Sequence, residues 1–357
     1  MAQLTTSQPQ RHPTPTTKAR QLGYLLFELP DLGKAEQFLR DFGLFPVNQS
    51  NDVLYLRGTQ SSPFCYRAAR ADIARFVGFG LIMGGRSDLE ALSRLPGATG
   101  IEPLDYPGGG ECVRLHDPSG FVVEAVYGQS PVEPLPHRKA LELNYELKTR
   151  RINDTQRPPL NPPEVLKLGH VVLEVADFQA TCGWYTRHFG FIPSDVQVLP
   201  DGSPAVVFMR LDLGDTPADH HTLAMAQGFM PQYSHSAFEL VDADAIGMGQ
   251  RILREKGWKH AWGIGRHILG SQIFDYWNDP WGHKLEHYCD GDVFTADLPM
   301  GVHPVSREAM SQWGQKMPSS FTRPKLNITT LRSALHHLKH SPDLNVRKLL
   351  TLAKLFS

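Results

Sequence analysis

The chain contains its own likeness. The stretch LGYLLFELPDLGKAEQFLRDFGL, from Leu22, is answered later by LGHVVLEVADFQATCGWYTRHFGF, from Leu168. Each reads as a strand, an Asp near a helix start, an apolar stripe and a closing Phe-Gly. Leu32, Ala35, Leu39 and Phe42 recur at helical spacing in the first copy, and Phe178, Cys182, Tyr185 and Phe189 in the second, with Gly43 and Gly190 as C-terminal caps. The copies also end alike. HDPSGFVVEAVY, from His116, matches NDPWGHKLEHY, from Asn278: an Asp-Pro-x-Gly turn feeding a strand with a central Glu. Within each copy a second strand and helix follow, Phe79 to Leu95 and Ala237 to Leu253, the latter helix expected to present Ala245, Met248 and Ile252 on one face, with Gly257 beyond its end. A duplicated sequence of this kind dictates a duplicated fold. Four strand-helix-strands units make an α+β chain of two domains.

This division assigns 21–128 to a first domain and 166–291 to a second, joined by the proline-bearing linker 129–165. Residues 1–20, polar and interrupted by prolines, read as a disordered tail. Residues 292–357 form an extension whose Leu331, Leu335 and Leu338, then Val346, Leu349, Leu350 and Ala353, predict two short amphipathic helices. From Lys325 onward it carries six Lys or Arg and one Asp, which reads as a solvated flank on helices packed against a domain or a second subunit.

The 36 Lys and Arg against 37 Asp and Glu leave no net field to draw nucleic acid or an anionic membrane. No run of about 18 apolar residues offers a membrane span. The four cysteines are scattered without a C-x-x-C pair, so they imply neither a disulfide framework nor a thiolate zinc site, and suit reduced thiols in a cytoplasm. A small neutral or weakly acidic ligand is the expected partner.

Three residues at comparable points of the second copy carry chemistry: His170 in the first strand, His235 opening SHSAFELV, and Glu286 within HKLEHY. A lone strand histidine is ordinarily a hydrogen-bonded core or surface group. Two imidazoles and a carboxylate together form the facial set that holds a non-haem Fe(II) and leaves coordination positions open. A closed zinc site would require a fourth protein ligand.

In LGH, HHTLA, SHSAFEL, GRH and YWNDPWGHKLEHY, taken in that order, the chain resembles the type I extradiol ring-cleavage dioxygenases of the vicinal oxygen chelate superfamily, across about 22–290. The resemblance implies domains of paired βαβββ modules, each curled into an open cup, the glyoxalase-like fold. It implies His170, His235 and Glu286 as metal ligands, His221 as acid–base residue, and His267 and Tyr276 as groups touching substrate. Fe(II) is the implied cofactor, with Mn(II) accepted by the same ligands, and a small aromatic diol and O2 the implied substrates. Members assemble, so a homo-oligomer is implied too. His220 competes with His221, because adjacent strand residues face opposite ways and one alone enters the cup. His283 and His287 are expected on the outer face without a role. Phe274, Trp277 and Trp281 suggest an aromatic lining, of which about half must point outward.

The first copy departs from this pattern. Tyr24, Phe76 and Glu124 align with the three ligands, so it reads as a metal-free structural duplicate. The second copy carries a geometric condition. A four-residue loop at Asp279 to Gly282 would put Tyr276 on the face of Leu285, so sharing a cup with Glu286 requires an odd loop or a bulge. Two other functions remain open on the same fold: an α-keto-acid-dependent oxygenase resembling the hydroxyphenylpyruvate dioxygenases, and a non-catalytic small-molecule binder.

Overall fold

The computed structural model describes residues 4–9, 11–307, 310–322 and 328–356. The first domain runs β1 (Ala19–Leu29), α1 (Leu32–Phe42), β2 (Phe45–Gln49), β3 (Val53–Arg57), β4 (Tyr66–Arg70), then β5 (Arg75–Met83), α2 (Arg86–Leu92), β6 (Glu102–Pro103), β7 (Glu111–His116) and β8 (Val122–Tyr127). That is two βαβββ modules. Their strands form one sheet, ordered β2-β3-β4-β1-β5-β8-β7-β6.

The second domain repeats the plan with β9 (Lys167–Val175), α3 (Phe178–Phe189), β10 (Ile192–Val198), β11 (Pro204–Arg210), β12 (Ala218–Asp219) and β13 (Leu223–Gln227). Its second module is β14 (Gln232–Glu239), α4 (Ala243–Glu255), β15 (Lys259–Arg266), β16 (Ile273–Asn278) and β17 (Lys284–Cys289). The extension adds β18 (Val293–Phe294), β19 (Gly301–Pro304), β20 (Trp313–Gly314), α5 (Ile328–His340) and α6 (Val346–Phe356). The large sheet is ordered β19-β10-β11-β13-β9-β14-β17-β16-β15-β20, so the extension supplies both of its edges.

Local chemistry sets the boundaries. Asp31 accepts the Lys34 N–H at the start of α1, and Gly43 ends it in the left-handed region at φ 108°. Asp242 caps α4 through Ala245 N at 2.9 Å and also holds the linker by paired bonds from Arg138. Asp177 makes no side-chain cap on α3; Asp343 of the extension accepts the Gln179 N–H instead, at 2.8 Å. In α4 the buried residues are Ala245, Ile246, Gly249, Ile252 and Leu253, while Met248 is only half-buried.

Both Asp-Pro-x-Gly turns fold identically. Asp117 accepts the amides of Ser119 and Phe121, and Asp279 those of Trp281 and His283. Each caps a five-residue loop, since His116 pairs with Val122 and Asn278 with Lys284. The odd loop meets the condition set by the sequence: Tyr276 lies directly opposite Glu286 with no bulge.

The domains share one core across an aromatic seam. Phe27 and Phe76 of the first domain meet Tyr233 of the second at 5.4 and 4.7 Å, and Phe42 stacks on His287 at 3.8 Å. This corrects the reading of His283 and His287. They do point away from the cup, but that face is the domain interface: His287 is fully buried, with Nε2 2.7 Å from Phe42 O, and His283 lies against Phe27. Phe42→Ala removes the stack and a buried ring together and is expected to destabilise the protein by about 3–5 kcal/mol in denaturant titration. A loss below about 1 kcal/mol would mean that the seam contributes little.

The N-terminal tail also differs from expectation. Thr16 N and Thr17 N bond to Arg187 O and His188 O at 2.7 and 3.2 Å, so this segment lies along α3. Prolines bar a helix there without preventing an extended strip from finding backbone partners.

Candidate metal centre

The convergence of the three candidate ligands is a product of register. On the cup face His170 of β9, Ala237 of β14, Glu286 of β17 and Tyr276 of β16 pair in one row, and His235 lies two residues from Ala237. The small side chain of Ala237 leaves room for His170 and Glu286 to lean together over it. His170 Nε2 and His235 Nε2 stand 3.3 and 3.4 Å from Glu286 Oε2, and one ligand atom from each residue lies within 4.8 Å of the other two.

This cluster fits a divalent cation. Glu286 is completely buried, and neither of its oxygens meets a donor in hydrogen-bonding geometry. A buried carboxylate without partners is costly unless a positive charge compensates it. Burial alone raises the Glu286 carboxyl, but the imidazoles of His170, His267 and His235 outweigh it and hold the group well below the usual carboxylate range. Burial drives His235 down to about 3, which leaves the neutral imidazole that a metal requires.

Around the triad stand the other residues singled out in the sequence. His267 Nδ1 lies 2.7 Å from Met310 O, so it carries the proton; Nε2 therefore accepts from the Tyr276 hydroxyl at 2.9 Å. Burial, then the nearby Glu286 charge, raise the Tyr276 hydroxyl well above its ordinary range and keep it a donor. His221 lies against His170, ring centroids 4.0 Å apart.

His220 and His221 do not alternate as strand residues. They occupy the bend between β12 and β13, which brings both rings to one side. His221 lines the cavity and His220 backs it, their Nδ1 atoms 2.9 Å apart. His220 Nε2 is 2.7 Å from Asp195 Oδ2, and Asp195 Oδ1 is 2.7 Å from His303 Nε2. With neutral rings, Asp195 takes the His220 Nε2 proton bond, His220 Nδ1 accepts from His221 Nδ1–H, and His221 is left with a bare Nε2. Burial, followed by the neighbouring imidazoles, holds His221 well below the ordinary histidine range.

Sequence reasoning missed Asp195, His303, Trp262 stacked on Tyr276, and the closing wall of Met310, Met317 and Phe321 contributed by the extension. Of the three aromatics on the second hairpin, Phe274 backs His267, at 4.0 Å, while Trp277 faces the other way and donates to Asp275. The cavity holds about 510 Å³.

The first cup carries no such set at the aligned points. Its row is Tyr24, Gly80 and Glu124, and the Tyr24 hydroxyl donates to Glu124 at 2.6 Å while Arg114 pairs with the same carboxylate at 2.8 Å. Gly78, not Phe76, occupies the place of His235, because the strand pairing runs two residues past the alignment by eye; Phe76 is the counterpart of Tyr233, which it touches.

Residues 167–287 match the Glyoxalase/Bleomycin resistance protein/Dioxygenase superfamily. The chain is 28% identical to metapyrocatechase 2 of Cupriavidus necator over 88% of its own length and 96% of that protein. It is 27% identical to an iron-dependent extradiol dioxygenase of Rhodococcus jostii RHA1 over 76% and 89%. In fold it is similar to the Mn(II)-bound glyoxalase from Novosphingobium aromaticivorans, with TM-score 0.72, 24% identity and coverage of 87% and 97%. Homoprotocatechuate 2,3-dioxygenase from Arthrobacter globiformis gives 0.72, 21%, and 89% and 96%. The cup that gathers two imidazoles and a carboxylate thus lies in the segment that matches the glyoxalase/vicinal oxygen chelate domain, and over most of its length the chain is homologous to the extradiol dioxygenases.

Proposed function

We propose that the protein is an extradiol dioxygenase that opens the ring of a catechol with O2, with Fe(II) held by His170, His235 and Glu286; Mn(II) suits the same ligands. The observation that carries this reading is the buried, donor-free Glu286 carboxylate between two imidazoles, in a cavity also lined by His221, His267 and Tyr276. Bound there, the metal supplies acidification of the diol and a path for electrons from ring to dioxygen. The rest falls to the protein. His221 Nε2 takes a proton from the bound diol and returns it during ring opening. The Tyr276 O–H, which donates to His267 Nε2 with substrate absent, turns from that partner to a substrate oxygen when the diol binds. The wall of Met310, Met317 and Phe321 keeps bulk water from the reacting oxygens.

Protein stripped of metal by a chelator, then reloaded anaerobically with ferrous iron and given a catechol and air, is expected to yield a yellow ring-opened product. No product across a broad panel of catechols would count against this assignment. Oxygen uptake with an aryl pyruvate and release of carbon dioxide would instead favour the keto-acid reaction, in which the His267–Tyr276 pair has no evident task. The four cysteines, all buried and free, suit a cytoplasmic enzyme. Among the described residues no helix is long and apolar enough to cross a membrane. The exposed Leu331, Leu335, Val346 and Leu350 on α5 and α6 suit a homo-oligomer.

A further inference from the structure

The cavity is graded along the strands that build it. His170 marks the first row. Two residues on, Val172, Ala224 and Phe208 pair across β9, β13 and β11 as an apolar second row. Two further on, Glu174, Ala226, Val206 and Gln197 pair as a third. Strand rise places the second row about 7 Å and the third about 13 Å from the first. A catechol whose oxygens sit at the triad therefore lays its ring in the apolar row, and a substituent the size of a second ring reaches the third.

The polar groups of that third row are the carboxamide of Gln197 and the carboxyl group of Glu174. Gln197 is 1% exposed, lines the cavity, and its carboxamide oxygen is buried with no donor. A buried acceptor left unmet is costly, so a ligand that brings a donor there gains what the protein has left unpaired. Glu174 accepts from the Gln232 amide, and burial raises its carboxyl above the ordinary range. Among the described residues no Lys or Arg lines the cavity. Lys348 of α6 stops behind Gln227, with Nζ 3.0 Å from its Oε1, while the Gln227 amide nitrogen is turned to backbone carbonyls of Val175, Ala176 and Gly228. A carboxylate in this row would stand beside the Glu174 carboxyl group with no cation among the lining residues to pair it.

We infer that the substrate is a catechol bearing an uncharged, ring-sized apolar substituent that ends in a hydroxyl or other neutral hydrogen-bond donor, read by Gln197. This rests on the catechol reading above, and the test separates the two. Iron-loaded protein is titrated anaerobically by calorimetry with plain catechol and with catechols carrying phenyl, hydroxyphenyl or carboxyphenyl groups at ring position 3, and again at position 4. In at least one series the hydroxyphenyl compound is expected to bind about fivefold to tenfold tighter than the phenyl compound, and the carboxyphenyl compound weaker than both. In Gln197→Leu the hydroxyphenyl-to-phenyl ratio is expected to fall within about twofold of unity. Equal binding of the hydroxyphenyl and phenyl compounds in both series, tightest binding by the carboxyphenyl compound, or a ratio that survives Gln197→Leu would each overturn the inference. Should the variant fail to fold, the wild-type ratios decide alone. If plain catechol is opened in air but substituents are not discriminated, only this inference fails; if no catechol binds or is opened, the dioxygenase reading fails with it.

Discussion

Glu286→Gln is expected to fold as the wild type does and yet to lose its metal. The substitution keeps side-chain volume, so the row of His170, Ala237, Glu286 and Tyr276 can still pack. What disappears is the single negative charge, itself wholly buried, in a cluster whose other members are imidazoles. Losing an outer partner of a metal ligand typically lowers affinity about 10–100-fold, and losing the charged ligand itself should exceed that range. Ferrous iron titration and metal content after desalting measure it, with ring opening falling in parallel. A Gln variant that retains one iron per chain and wild-type turnover would remove Glu286 from the site and the proposed chemistry with it.

His221→Phe separates proton transfer from metal binding. The replacement should leave iron content and catechol affinity close to wild type while kcat falls about 10²–10⁴-fold, the usual contribution of a positioned acid or base. The chain from His303 through Asp195 and His220 offers a milder companion. In Asp195→Asn the amide presents a donor or an acceptor in place of a carboxylate, so His220 no longer has its proton fixed on Nε2 and His221 loses the partner that keeps Nε2 bare. A fall of roughly 10–100-fold is expected, short of the roughly 10⁴ that the wrong tautomer costs a serine protease. The distinguishing readout is the pH profile of kcat/KM. In the wild type the acid limb should lie below the ordinary histidine range, because burial lowers His221, and in Asp195→Asn that limb should move. Unchanged kcat in His221→Phe would hand the proton to another group.

These experiments bear on residues of unequal legibility. His170, His235 and Glu286 could be singled out because they stand at comparable points of the second copy and their residue types have few joint uses, and their reading as ligands was implied by the family resemblance. The odd loop after Asn278 was deducible as a condition, since alternation along a strand is strict, and the side-chain cap of Asp279 satisfies it. Asp195, His303 and Gln197 gave no signal. Each is an ordinary polar residue whose meaning comes from a neighbour contributed by a different strand. Phe76 was misplaced for the same reason, since an alignment by eye cannot sense which residue a partner strand selects.

The amino-acid sequence by itself determined the duplicated α+β plan, the helix limits set by Asp31, Gly43 and Gly190, and the kinds of atoms available to hold a cation. Those are local or repeated properties, written in periodicity and in the conformational preferences of single residues. Tertiary structure alone decided that His287 lies buried against Phe42, that the extension walls the cavity and caps α3, and that Gln197 and Glu174 share one row of the cavity. Each of these depends on strand register and domain packing, which bring together residues that lie far apart along the chain and carry no mark of one another.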